Sequence, residues 1–94
     1  MRKIIYKSRF ENEILAIVEF IASRDGYQRA ENFYNEIYTK IENIPFMPFR
    51  HRQSPSANNK NIRELIYKGY KIPYRISDET IEILGIYKEN LWIS

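Results

Sequence analysis

The sequence predicts a small α+β domain with the order β-α-α-β-β-β, in which a two-helix hairpin packs on one face of a mainly antiparallel sheet. Three observations lead to this prediction. Apolar residues recur at helical spacing up to Ile44, a connector rich in Pro and Asn follows over residues 45–60, and strand-like alternation begins at Asn61. A chain of 94 residues suffices for one compact domain, so we treat residues 1–94 as a single unit.

The first seven residues are rich in Ile and Tyr and predict a short strand that ends near Lys7. The position of this strand in the sheet does not follow from the pattern. Ser8 and Glu11 have the spacing of a capping box, in which each side chain binds the backbone N–H of the other residue, so a helix is expected next. One apolar face runs along it: Phe10, Ile14, Ile17, Val18 and Ile21. Asp25-Gly26 should end the helix, because glycine tolerates a positive φ.

The second helix has a longer apolar stripe, which Pro45 ends because proline cannot continue a helix. The stripe consists of Ala30, Phe33, Tyr34, Ile37, Tyr38, Ile41 and Ile44. Few residues separate the two stripes, so the helices should form an antiparallel hairpin. The aromatic residues on the stripe are expected to pack in the core and not to stack on nucleic-acid bases.

Three strands are expected in the last third of the chain: Ile62–Tyr67, Tyr70–Ile76 and Ile81–Tyr87. Lys68-Gly69 between the first two is a tight turn of the kind that hairpins favour. The last strand is apolar on nearly both faces, which is typical of a central strand. Pro73 conflicts with the assignment of Tyr70–Ile76 as a regular strand, because proline cannot donate to a ladder and belongs at an edge or a bulge.

The composition argues against several classes of protein. The chain has no cysteine and a single histidine, so neither a disulfide framework nor a structural zinc site is expected, and we predict no metal and no cofactor. No apolar run approaches the ~20 residues that span a bilayer, and no signal peptide is evident at the start. We therefore expect a cytoplasmic protein with no membrane association.

Positive charge is concentrated in one part of the sequence. Residues 48–75 contain seven Lys and Arg residues and a single acid, Glu64, although the net charge of the chain is only +3. A basic segment of this kind is the electrostatic signature of proteins that bind phosphate backbones. The alternative is that these cations solvate a sheet face, or that Arg63 pairs with Glu64 or with a helix acid.

Four runs of the chain, residues 41–45, 61–65, 69–76 and 80–87, follow one another in a characteristic order and spacing. Together they resemble the RelE/ParE family of toxins from type II toxin–antitoxin systems. The family's strand pattern "R-x-L … Y-x-I-x-Y-R-I … I-x-I-L-x-I" is similar to residues 61–65, 69–76 and 80–87, and its "I-x-x-I-P" matches Ile41–Pro45. The similarity covers essentially the whole chain and rests on the order and spacing of the runs together. It implies the RelE/ParE-like fold described above.

The resemblance to the ribonuclease members implies a site for cutting messenger RNA in the ribosome. In these members the RNA 2′-hydroxyl attacks the adjacent phosphate, cations stabilise the developing charge, and a side chain carries the proton. The matching catalytic positions are Arg63, Arg75, Tyr87 and Lys88, and the first three would converge on one concave surface if the strands curl away from the helices. Further contacts with nucleic acid are expected from Arg50, Arg52, Lys60 and Lys71.

The resemblance to the ParE branch implies a different activity, since its members poison DNA gyrase and cleave nothing themselves. Two features favour this branch: the C-terminal segment lacks the histidine of several ribonuclease members, and the net charge is mild. We take the ribosome-dependent endoribonuclease as the prediction and the gyrase-binding toxin as its alternative. A small nucleic-acid-binding or structural module without toxicity is the third possibility.

Either toxin branch implies a cognate antitoxin that silences the toxin in a hetero-oligomer, usually by wrapping it with a helix or an added strand. The target would be the ribosome with its messenger RNA, or DNA gyrase in the alternative. The chain has more apolar residues than two short helices need, which is consistent with a protein partner. These residues are Ile5, Phe46, Met47, Phe49 and the Leu91-Trp92-Ile93 tail, of which Trp92 is first expected to cap the core.

Overall fold

A computed structural model describes residues 1–55 and 57–88 and confirms the α+β class. The helices are α1 (Ser8–Asp25) and α2 (Tyr27–Glu42), and a short 3₁₀ turn (Ile44–Phe46) follows α2. The strands are β1 (Lys3–Tyr6), β2 (Ile62–Tyr67), β3 (Tyr70–Ile76), β4 (Thr80–Ile83) and β5 (Tyr87–Lys88).

The two helices form the expected hairpin, and a single residue connects them. Gly26 has φ 97° and ψ 166°, a conformation that essentially only glycine adopts, and it ends α1 while it begins α2. Its N–H donates to the Ala22 carbonyl at 3.0 Å, and its own carbonyl accepts from the Ala30 N–H at 3.3 Å. Gly26 is therefore the whole linker between the end of α1 and the beginning of α2.

The predicted capping box at Ser8 is wrong. The helix begins at Ser8 itself, Lys7 precedes it in an extended conformation, and no side chain caps the helix. The Lys7 N–H still belongs to the sheet, where it donates to the Ile83 carbonyl at 3.0 Å, and the Lys7 carbonyl accepts from the Glu11 N–H at 3.1 Å. Strand and helix thus share Lys7, which leaves no loop residue to serve as a cap.

The sheet has the strand order β1-β4-β3-β2, with β5 also paired to β3. Strands β2, β3 and β4 form the predicted antiparallel meander, and Lys68-Gly69 is the predicted two-residue turn, with φ of 50° and 85°. The first strand joins β4 in parallel, in the register Lys3↔Thr80 to Tyr6↔Ile83. Strand β4 is therefore central, as the sequence predicts.

The third predicted strand, Ile81–Tyr87, is divided into β4 and β5. Two residues of β3 lie between Lys71 and Tyr74, whereas three residues lie between their partners Ile83 and Tyr87, so the last strand has one extra residue. The extra residue is a bulge opposite Pro73, whose carbonyl accepts from the Leu84 N–H at 2.9 Å. In an antiparallel strand, the nitrogen and the carbonyl of one residue point to the same side. The nitrogen of Pro73, which carries no hydrogen, therefore points towards this bulge, where the ladder needs no donor.

The core lies between the helix hairpin and one face of the sheet. Its fully buried residues include Phe10, Ile14, Ile37 and Ile41 from the helices, and Ile72, Tyr74, Ile81 and Ile83 from the sheet. Neither helix of the part described is long and apolar enough to cross a membrane. The expectation that Trp92 caps the core concerns residues outside the described ranges.

Candidate functional site

Side chains alternate between the two faces of the sheet, and this alternation separates the predicted catalytic residues. Arg63 lies opposite the buried Tyr74 in the β2–β3 register, and directly opposed residues share a face. Arg63 therefore lies on the face that the helices cover, while Arg75, next to Tyr74 in sequence, lies on the other face, which we call the outer face. The structure does not bring Arg63 and Arg75 together, so their expected convergence on one surface is wrong.

Tyr87 and Lys88 are separated in the same way. Tyr87 pairs with Lys71 and lies on the outer face, whereas Lys88 pairs with Tyr70 on the helix side, where its Nζ is 4.6 Å from the centre of the Tyr70 ring. Arg75 is four residues along β3 from Lys71, and a rise of about 3.3 Å per residue places Tyr87 about 13 Å from Arg75 along the strand. The four predicted catalytic residues thus occupy two faces and two ends of the sheet.

On the outer face, a buried carboxylate binds two of the predicted nucleic-acid contacts. Glu64 is only 2% exposed, and its Oε1 accepts from Arg52 Nε at 2.9 Å and Nη2 at 2.7 Å. Lys71 Nζ lies 3.8 Å from the same oxygen, and its side chain is only 14% exposed. The Glu64 Oε2 is buried without a hydrogen bond to any described residue. Arg52 and Lys71 therefore neutralise a carboxylate of the chain itself.

A second carboxylate on the outer face pairs with the other cations there. Arg75 Nη1 donates to Glu82 Oε1 at 3.2 Å, and Lys7 Nζ lies 3.7 Å from Glu82 Oε2. Glu82 lies directly opposite Arg75 in the β3–β4 register, so the pair belongs to the ladder. Sequence inspection missed Glu82 as a partner because it is seven residues away from Arg75 and on another strand.

Arg63 lies against the chain segment that follows α2. Its Nε donates to the Lys60 carbonyl at 2.9 Å and its Nη1 to the His51 carbonyl at 3.2 Å, and its guanidinium carbon is 5.2 Å from the centre of the Phe49 ring. The expected alternative partner, Glu64, points to the opposite face. Arg63 thus connects β2 to the segment that contains Phe49 and His51.

Arg50 and His51 lie on this segment, together with Asn43, Phe46 and Met47 around a cavity of about 210 Å³. Arg50 is exposed, as is Lys60 in the turn before β2. Burial, and then the charges of Arg50 and Lys40, lower the pKa of His51 from its ordinary value of 6.5. The neighbouring Tyr74 donates its hydroxyl to the Pro48 carbonyl at 2.7 Å, and burial raises its pKa, so neither ring is charged at neutral pH.

One acid on α1, which the sequence analysis did not single out, completes the bulge between β4 and β5. The Ile86 N–H donates to Glu13 Oε1 at 3.0 Å, and Arg9 Nε donates to Glu13 Oε2 at 3.3 Å. A Cβ on Gly85 would lie 2.7 Å from Glu13 Oε1, so glycine leaves the space that the carboxylate needs. Among the described residues, no group of three or more His, Cys, Asp and Glu side chains is arranged to hold a metal ion.

Comparisons with known proteins agree with this fold. The sequence model of the family described as "ParE toxin of type II toxin-antitoxin system, parDE" matches residues 4–90. Among solved structures, the chain is similar to one from the chromosomal ParDE toxin–antitoxin system of P. aeruginosa, with 17% identity, a TM-score of 0.79, and coverage of 94% of this chain and 96% of that one.

Two further similar structures come from E. coli. A chain of the DinJ–YafQ complex has 14% identity and a TM-score of 0.62, and YafQ from strain BL21(DE3) has 12% identity and a TM-score of 0.52. The alignment covers 100% of both chains in each case. No curated protein matches the sequence. At these identities the structural matches demonstrate a shared fold.

Proposed function

Because the chain belongs to the ParE toxin family of type II toxin–antitoxin systems, which its sequence matches over residues 4–90, we propose that it acts by binding a protein target and does not cut RNA. The resemblance names DNA gyrase as the target of this branch, and gyrase is the target we propose. The sequence alone favoured the endoribonuclease over the gyrase-binding toxin, and the proposal now prefers the gyrase-binding toxin.

The separation of the four predicted catalytic residues is the observation that carries the proposal. Attack of a 2′-hydroxyl on the adjacent phosphate needs cations and a proton carrier around one phosphate, within hydrogen-bond reach of the reacting atoms. Arg63 and Arg75 lie on opposite faces of the sheet, and Tyr87 lies about 13 Å from Arg75 along β3. No single phosphate could contact all of these groups in this arrangement.

The carboxylates of the outer face support the same proposal. Arg52, Lys71 and Arg75 lie against Glu64 or Glu82, so an approaching phosphate would meet a negative charge beside each of these cations. Glu64 cannot turn away into solvent, because it is buried. A protein surface with its own mixed charges can be complementary to such an arrangement, whereas a uniformly negative RNA backbone is not.

The experiment measures two quantities: the integrity of messenger RNA in cells and the supercoiling activity of DNA gyrase. We expect that the purified chain inhibits supercoiling by DNA gyrase, and that its induction in bacteria triggers a DNA-damage response while transcripts stay intact. The double variant Arg75→Ala/Tyr87→Phe should remain toxic, because most single contacts in a protein interface contribute less than about 1 kcal/mol. Rapid transcript cleavage by the wild type that the double variant lacks would show instead that the chain is a ribonuclease.

A further inference from the structure

An exposed apolar surface follows the C-terminal end of α2. Phe46 is 65% exposed, Met47 61% and Phe49 47%, within four consecutive residues. Exposed large apolar side chains that are adjacent in space are typical of interaction sites. We call this surface, together with the arginines Arg2, Arg50 and Arg63 around it, the arginine–phenylalanine surface.

The backbone of this surface is held in place by hydrogen bonds and a buried anchor. The Met47 N–H donates to the Ile44 carbonyl at 3.1 Å, and the Arg50 N–H to the Met47 carbonyl at 3.1 Å. Ile44 is 1% exposed, and the Tyr74 hydroxyl binds the Pro48 carbonyl from the sheet. The turn that carries the apolar side chains is therefore held in one conformation by its own contacts, so binding of a partner would not have to order it.

The arginines of this surface differ from those of the outer face in their ion pairs. Among the described residues, no ion pair involves Arg2, Arg50 or Arg63, whereas Arg52 and Arg75 each have one. Arg2 and Arg63 instead lie 6.0 and 5.2 Å from the centre of the Phe49 ring. Three charges without a counter-charge around an apolar centre are complementary to an acidic partner with apolar side chains.

We propose that the arginine–phenylalanine surface is where the antitoxin binds, through an acidic segment that places an apolar side chain against Phe46, Met47 and Phe49. The proposal rests on membership of the toxin–antitoxin family, in which a toxin is held by an antitoxin, and not on the choice of gyrase as the target. The cavity of about 210 Å³ between Met47 and Arg50 would accept one such side chain. Carboxylates of the segment would pair with the surrounding arginines.

A protein segment fits this surface better than nucleic acid does. The Phe49 ring already contacts two guanidinium groups, and Met47, unlike Phe46, has no ring on which a base could stack. Nucleic acid would offer phosphates to the arginines, yet it would leave Met47 in water.

The test measures binding of the purified full-length chain to the purified product of the antitoxin gene encoded beside it, by isothermal titration calorimetry at two salt concentrations. Met47→Ser and Arg50→Glu should each weaken binding by roughly ten-fold or more, as truncation at the centre of an interface does. Binding of the wild type should weaken with salt, and that of Arg50→Glu should weaken less.

Two variants are matched controls. Leu15→Ser removes an apolar side chain of similar exposure (52%) from α1, and Arg29→Glu makes the same charge change in the first turn of α2, roughly 20 Å from Arg50 by helix length. Both should bind the antitoxin as the wild type does. Melting temperatures of all four variants show that each is folded.

Three results would overturn the proposal. The first is unchanged antitoxin affinity in both Met47→Ser and Arg50→Glu. The second is loss of toxicity in these variants with antitoxin binding retained, which would assign the surface to the target. The third is tight binding of a 20-nucleotide RNA that Met47→Ser leaves intact and Arg50→Glu abolishes, together with unchanged antitoxin affinity. Cleavage of messenger RNA by the wild type would refute the proposed mode of action and leave this surface as the antitoxin site.

Discussion

Glu64 has a structural role that follows from its burial and from its ion pair with Arg52. It is the only acid between residues 48 and 75, and in the structure it is a buried carboxylate that binds two nitrogens of Arg52 through a single oxygen. Burying an ionised carboxylate is unfavourable unless it is paired, and removing the charge from such a pair leaves the partner uncompensated. Glu64 therefore holds the connector that contains Arg52 against the sheet.

We expect that Glu64→Gln lowers the free energy of unfolding by about 2 kcal/mol, less than the roughly 3–5 kcal/mol for breaking a fully buried ion pair, because Arg52 is half exposed and regains water. Urea denaturation measures the change. Glu82→Gln is the matched control: its ion pairs are more exposed and should contribute less than about 1 kcal/mol. Equal stability of the two variants would contradict the role assigned to Glu64.

His51 should make the stability of the chain depend on pH. Burial and the nearby charges of Arg50 and Lys40 lower its pKa in the folded state below 6.5, the ordinary value that applies to the unfolded chain. Between the lowered pKa of the folded state and 6.5, the unfolded state binds more protons, so the contribution of the neutral side chain is complete above pH 6.5 and is lost as the pH falls through the folded-state pKa.

We accordingly expect the free energy of unfolding to decline as the pH is lowered from about 7.5 to about 5.5, a range above the ordinary pKa values of Asp and Glu. His51→Gln, which cannot be protonated, should flatten this decline. Urea titrations at three pH values within this range measure the free energy of unfolding of the wild type and of the variant. The same slope in both proteins would exclude His51 as its cause.

Among the secondary-structure elements, the junction of β4 and β5 depends on α1. The bulge opposite Pro73 frees the Ile86 N–H from the ladder, and the Glu13 carboxylate accepts it at 3.0 Å from the neighbouring helix. Gly85 permits this approach, because an added Cβ would lie 2.7 Å from Glu13 Oε1. Helix and strand are thus joined by one hydrogen bond that needs both an acid and a glycine.

A double-mutant cycle tests this coupling. Gly85→Ala should reduce the free energy of unfolding by about 1–2 kcal/mol, because it displaces the carboxylate and leaves the Ile86 N–H without its acceptor. In a Glu13→Ala background the same substitution should have a smaller effect, which gives a coupling of about 1 kcal/mol. Glu11→Ala, an exposed acid on the same helix, is the control background, in which the full effect of Gly85→Ala should persist. Additive effects of Gly85→Ala and Glu13→Ala would disprove the coupling.

In the whole molecule, the basic segment of residues 48–75 does not form one basic patch. Alternation along the strands sends Lys71 and Arg75 to the outer face, where they lie beside carboxylates. Arg50 and Arg63 lie at the arginine–phenylalanine surface, and Lys68 in the hairpin turn pairs with Glu36 of α2. A cluster of charge in sequence is therefore divided into regions with different partners, and only one of these regions has cations without described counter-charges.

Much of the fold follows from local patterns in the sequence. The apolar stripes of α1 and α2, the glycine between them, the Lys68-Gly69 turn and the antiparallel meander are each specified by residues a few positions apart. Each is present as predicted, except that Tyr34 of the α2 stripe is 37% exposed and does not pack in the core. The apolar residues Phe46, Met47 and Phe49 are also in excess of what the core needs, and they are exposed. Short-range periodicity and turn chemistry are sufficient to predict these elements, because the residues that define each element are neighbours in the chain.

Features that depend on distant contacts were decided only by the tertiary structure. The parallel pairing of β1 with β4, the hydrogen bond between the interrupted last strand and Glu13, and the burial of Glu64 beside Arg52 each join segments that are more than ten residues apart. The separation of Arg63 from Arg75 has the same origin, because their faces follow from the register of β2 against β3 and from the side on which the helices pack. Sequence spacing gives the alternation within one strand, whereas the relation between strands is set by hydrogen-bond register and burial, which form only when the chain folds.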